Sequence, residues 1–100
     1  MAYTYILRCA DGALYVGSTT DLDDRLKRHQ SGNGSEFTKL HNPVHGEQGR
    51  TIELVYKEEY DTYQEAFKRE RQLHGWTVAK KEALIKGDIE LLKQLSKSKK

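Results

Sequence analysis

The sequence predicts a single α/β domain: a small three-stranded antiparallel sheet with helices packed against it. Three observations predict it. Two runs rich in aromatic and β-branched residues, 3–9 and 13–17, flank the pair Asp11-Gly12, and Asp-Gly supplies the positive φ that a tight hairpin needs. A third run, 51–60, starts with the alternation of a half-buried strand. Elsewhere apolar residues recur at helical steps, as in Leu22/Leu26 and Ala66/Leu73.

Tyr3, Tyr5 and Leu7 share one face of the first strand, and Ala13, Tyr15 and Gly17 share one face of the second. Tyr5 and Tyr15 therefore reach the same side of the hairpin in a suitable register. Residues 18–21 read as a helix start, with Thr20 or Asp21 as the cap and Asp23 and Asp24 at the positive helix end. Leu22 and Leu26 mark the buried stripe, with Arg25 and His29 on its flank. The helix stops at Ser31-Gly32-Asn33-Gly34, and 31–50 reads as a long loop with a short ordered piece around Phe37-Thr38. After the third strand, Thr62 caps a helix through Ala66, Phe67, Glu70 and Leu73. Gly75 ends it and Trp76 is expected to plug the core. Thr77 starts a further helix, and Gly87-Asp88 separates it from a last one over 89–95. Gly17 is expected to let the backbone approach substrate or the next helix closely.

One hundred residues support one core and are too few for two. We expect a domain over 1–95 and a basic tail over 96–100. Net charge is +2, and residues 1–50 carry six basic and six acidic side chains, so charge alone neither requires nor excludes a polyanionic partner. No apolar run has the length of a membrane span, and the first residues lack the layout of a secretory signal. The single cysteine, Cys9, has no internal disulfide partner. A cytoplasmic setting fits, with no membrane partner.

Four stretches then acquire a common meaning. Tyr3-Thr4-Tyr5, Tyr15-Val16-Gly17 with Ser18-Thr19, Arg25 ten residues after Tyr15 with His29 four later, and Ala66-Phe67-Lys68-Arg69-Glu70 stand in this order. The set resembles the GIY-YIG nuclease domain over nearly the whole chain. Within that family it is similar to the small single-domain bacterial group, UPF0213-like, that is related to the nuclease half of UvrC and to SLX-type endonucleases. The chain departs from the family's pattern at Tyr3 and Thr4, where the family has Gly and Ile. Glu82 lies near the place of an asparagine in longer relatives, and His74 stands where relatives often have lysine.

The resemblance implies the GIY-YIG endonuclease fold and divalent-metal-dependent hydrolysis of DNA phosphodiester bonds, in repair or recombination on non-standard structures. It implies Tyr5, Tyr15, Arg25, His29 and Glu70 as catalytic residues converging on one face, with Glu70 holding Mg²⁺ or Mn²⁺. The chemistry suits the set. A carboxylate is a hard oxygen ligand for these ions, and arginine grips phosphate with a planar fork. A histidine titrating near neutrality relays protons. A tyrosine joins that relay only if its pKa is lowered, and either Tyr5 or Tyr15 suits the role of base. Structured or damaged DNA is the expected partner, with a larger repair protein as a second. Two rival readings use the same fold: a nucleic-acid-binding module with weak or no catalysis, and an interaction module contacting a larger protein through its later helices.

Overall fold

A computed structural model describes residues 1–9, 12–30 and 52–97. The 31–50 loop with Phe37 and Thr38, Asp11 of the turn and the end of the tail lie outside the described residues. The sheet holds β1 (Ala2–Arg8), β2 (Leu14–Thr19) and β3 (Glu53–Tyr60) in the order β2-β1-β3, all antiparallel. Four helices complete the described chain: α1 (Leu22–Gln30), α2 (Tyr63–His74), α3 (Val78–Lys86) and α4 (Ile89–Lys97). The predicted fold class holds.

β1 lies centrally, so both its edges are paired and nearly all its side chains are covered. Ala2, Thr4, Tyr5, Ile6 and Leu7 are all buried. The hairpin closes with Gly12 at φ 90°, the left-handed backbone that its position demands, and Cys9 N–H donates to Ala13 O at 2.8 Å. β2 runs on through Ser18 and Thr19, which the sequence reading assigned to the helix start. Pairing of Thr4 with Ser18 and of Tyr3 with Thr19 keeps these two residues in the ladder. The cap of α1 is Asp21, whose Oδ1 accepts from Asp24 N–H at 3.0 Å.

Strand alternation divides the core into two layers. On one side Tyr5, Leu7 and Ile52 pack with Tyr15, Leu54 and the α1 residues Leu22 and Leu26. On the other Ile6, Val16 and Leu73 pack with Trp76, Leu84 and Ile85. A register shift between Ile6 and Leu7 lets β3 slip by a residue, so that Val55 and Tyr56 both contact this second cluster. Trp76 closes the cluster's rim rather than plugging its centre. It is half-buried, and the Arg69 and Lys80 cations lie 5.2 and 4.3 Å from its ring centroid.

α2 starts with the predicted cap: Thr62 and Glu65 form a reciprocal capping box. Two anchors then fix its register on the sheet. The buried Thr4 hydroxyl donates to Ala66 O at 2.7 Å. Arg69 meets the Glu58 carboxylate on β3 at 3.0 Å, where Tyr56 and Tyr60 donate to the same carboxylate. Burial pushes Glu58 towards protonation, but the hydrogen bonds from Arg69 and the two tyrosines outweigh it and hold its pKa below the usual value. The same carboxylate adds to burial in raising Tyr60 to about 12.

The Thr4 anchor yields a test. Thr4→Val keeps the shape and removes the donor to Ala66 O, so it should cost about 1 kcal/mol in urea unfolding. An unchanged midpoint would show that this bond contributes nothing to docking α2.

Candidate active site

Gly17 lies opposite Tyr5 in the β1–β2 ladder, and the space its side chain would fill is occupied. A Cβ placed there would lie 2.5 Å from Tyr5 Oη and 3.1 Å from a ring carbon of Tyr15. The glycine is therefore needed for the Tyr5 phenol to lie across β2. The close neighbour that this glycine admits is the Tyr5 phenol, which the sequence reading did not name.

Around this contact sit three rings. Tyr5 and Tyr15 have centroids 6.3 Å apart, and His29 from the last turn of α1 lies 6.2 Å from Tyr5 and 5.0 Å from Tyr15. His29 Nε2 is 3.3 Å from Tyr5 Oη. Arg25, one turn earlier on α1, has its guanidinium beside the same hydroxyl. Four of the five sequence-predicted residues thus form one cluster.

The electrostatics correct two expectations. His29 is 2% exposed, and burial, reinforced by the positive charge of Arg25, lowers its pKa to about 4. It is a neutral imidazole near pH 7, not a group titrating near neutrality. Burial also pushes the Tyr5 hydroxyl well above its ordinary range, with Tyr15 adding to the rise and Arg25 opposing it. A lowered tyrosine pKa is thus not met at Tyr5: its resting form is the protonated phenol.

Glu70 reaches this region from the other side of the sheet. Successive residues of a strand point to opposite faces, so Ser18, next to Gly17, faces α2. Its hydroxyl donates to Glu70 Oε1 at 2.5 Å, and His74 Nε2 is 3.1 Å from Oε2. The expected convergence on one face therefore becomes a meeting across β2, at Gly17 and Ser18. Gly17 carries the tyrosine half and Ser18 the carboxylate half. Glu70 is near enough that its charge contributes to the raised pKa of Tyr5.

Sequence reasoning missed Ser18 and His74 as partners of Glu70. Alternation along Tyr15-Val16-Gly17-Ser18 could have flagged Ser18, and the four-residue step from Glu70 could have flagged His74. Glu82, near the expected asparagine, is committed elsewhere: it receives a two-pronged pair from Arg8 at 2.8 and 2.9 Å, tying α3 to β1.

Among the described residues no three His, Cys, Asp or Glu side chains cluster as a metal site. The Glu70 carboxylate and the Ser18 hydroxyl are hard oxygens, and the His74 imidazole lies against the second carboxylate oxygen. Such oxygens fit a divalent cation that keeps most of its waters, and not a cation requiring an all-protein cage.

Two outcomes are expected. Gly17→Ala should lose about 1–3 kcal/mol by overpacking, and much less in a Tyr5→Ala background, because the added methyl then has room; equal losses in both would refute the packing relation. His29 binds its proton more weakly folded than unfolded, so its contribution is complete above about pH 6.5 and is lost as pH falls towards 4. Urea unfolding should lose on the order of 1–3 kcal/mol over that interval and less in His29→Gln. An imidazole midpoint near 6.5 by NMR would contradict this.

No helix among the described residues is long and apolar enough to cross a membrane. Comparison with known proteins extends the geometry. Residues 1–83 match the GIY-YIG catalytic domain. A UPF0213 protein of Staphylococcus aureus strain Mu3 is 42% identical over 84 residues, covering 84% of this chain and 93% of that protein. The solution NMR structure of a UPF0213 protein from Bacillus halodurans shares 34% identity, with TM-score 0.51 over 86% of this chain and 84% of that one. A solution NMR structure from E. faecalis also shares 34%, with TM-score 0.54 over 85% and 82%. The match spans the hairpin, α1, α2 and most of α3, every described element that contributes to the site, and the chain belongs to the GIY-YIG family of nuclease domains.

Proposed function

We propose that this chain is a divalent-metal-dependent endonuclease that hydrolyses DNA phosphodiester bonds, acting in repair or recombination on non-standard structures. The observation that supports it most is the meeting of Tyr5, His29 and Arg25 with Glu70 across two consecutive residues, Gly17 and Ser18.

In this reading Arg25 takes the non-bridging phosphate oxygens in its planar fork. Neutral His29, in the tautomer that carries its proton on Nδ1, is a proton acceptor at Nε2, 3.3 Å from Tyr5 Oη. As water attacks phosphorus, its proton passes to the Tyr5 oxygen while the phenol proton passes to His29. The new P–O bond forms as the bond to the departing oxygen breaks. A relay of this kind starts from a protonated phenol and needs no free phenolate. Tyr15 packs against both rings and completes the wall. Glu70 would hold Mg²⁺ or Mn²⁺, with Ser18 and His74 orienting the carboxylate. Neutralising the charge on the phosphate and the departing alkoxide is what a divalent ion supplies there. A larger repair protein would supply affinity beyond the few phosphate contacts of so small a domain.

The test is cleavage of labelled single-stranded, duplex, flap and branched DNA with Mg²⁺ or Mn²⁺. Wild type should cut, and Glu70→Ala and Arg25→Ala should each lose at least about 100-fold while remaining folded. Tyr5→Phe and His29→Gln should lose activity together, and the double variant should lose little more, as members of one relay do. Cutting that survives in both Glu70→Ala and Arg25→Ala would sink the site. Salt-sensitive binding without cutting in wild type would favour the binding-module reading.

A further inference from the structure

α2 carries two aromatic side chains that the core does not take up. Tyr63 is 43% exposed and Phe67 39%. Their rings stack with centroids 6.0 Å apart and planes at 22°. The Arg71 guanidinium, one turn beyond Phe67, lies 5.9 Å from the Phe67 ring centroid. Steps of three and four residues put Tyr63, Phe67, Glu70, Arg71 and His74 on one stripe of the helix. Packing of α2 onto the sheet is carried by Ala66 and Leu73 on a different stripe. Neither ring of this pair belongs to the two core clusters.

Its position relative to Glu70 gives it meaning. The Tyr63 hydroxyl is 3.4 Å from Ser18 Oγ, the group that donates to Glu70. The platform thus begins beside the carboxylate at Tyr63 and runs along α2 through Phe67 to Arg71. It offers flat π-surface flanked by a cation. A partner that matches both features carries planar rings and negative charge in alternation, as a nucleic-acid strand does. An aliphatic protein surface would match the rings but leave Arg71 without a counter-charge.

We propose that Tyr63 and Phe67 form a stacking platform for an unpaired base of the strand whose phosphate lies at Glu70, with Arg71 taking an adjacent phosphate. The inference rests on the nuclease reading above and deepens it by naming the strand. Bases within a duplex are already stacked and paired, so the platform selects single-stranded, flap or frayed ends over intact duplex.

Fluorescence anisotropy in EDTA tests it, using a labelled single strand, the same strand with abasic sites opposite α2's reach, and a duplex. Wild type should bind the single strand more tightly than the abasic strand or the duplex. Tyr63→Ala and Phe67→Ala should each weaken single-strand binding about tenfold, from the known worth of one base–aromatic stack, and barely change abasic binding. Phe67→Leu, which keeps apolar bulk and helix propensity, should lose nearly as much as Phe67→Ala. Circular dichroism checks that each variant is folded. Unchanged single-strand binding, or equal losses on normal and abasic strands, would overturn the platform and leave the aromatic pair to a protein contact. Wild type that cuts DNA without base-dependent binding would refute the platform alone. Base-dependent binding with no cutting under any metal would refute the nuclease reading alone. No binding by wild type to any strand would overturn both.

Discussion

The architecture depends on a missing side chain. With no Cβ at Gly17, the Tyr5 phenol lies over β2, its hydroxyl 2.5 Å from where that Cβ would stand. Everything on the α1 face follows from that placement. Tyr15 packs against the same ring, His29 meets the hydroxyl, and Arg25 sits beside it. A methyl at this position would drive the phenol outward and separate the histidine from its partner. The burial that results also sets the protonation states: neutral imidazole against neutral phenol, with one nearby cation.

The opposite face is held by polar contacts more than by apolar bulk. Ala66 and Leu73 are the buried residues of α2, a small area for a helix that must present a carboxylate accurately. Thr4 compensates by bonding the Ala66 carbonyl, the group one turn before Glu70. Glu58, gathering Arg69, Tyr56 and Tyr60, pins the helix from β3. These contacts sit on residues adjacent to Glu70 in sequence or one turn away, so stability and site geometry are coupled on this face. The aromatic pair lies on the same helix but outside these anchors. It is therefore open to bind without disturbing them.

Much of this was legible in the sequence, and what was not has a physical reason. The Asp-Gly turn, the Thr62 cap and the glycine stops at Gly75 and Gly87 are local signals, and the elements they bound are present. Alternation allowed Tyr5 and Tyr15 one face, given a suitable register. It could not fix that Gly17, not Tyr15, lies directly opposite Tyr5, because register depends on the hairpin as a whole. Ser18 and Thr19 read as a helix start by residue type, yet cross-strand pairing keeps them in β2. The bond from Ser18 to Glu70 joins residues far apart in the chain, beyond any local pattern. The depressed His29 pKa is likewise a product of burial, which only the assembled fold determines.

Two half-sites on opposite faces meet at Gly17 and Ser18 of β2, and a bound ion can map that meeting. Mn²⁺ titrated into the ¹⁵N-labelled chain broadens amide signals according to their distance from the ion. If β2 joins the halves, Gly17, Ser18, Glu70 and His74 should broaden first, with Tyr5 and Tyr15 next, and Glu70→Ala should abolish the pattern. Broadening confined to α2, or centred on the acidic start of α1 and insensitive to Glu70, would show that the two halves do not form one site.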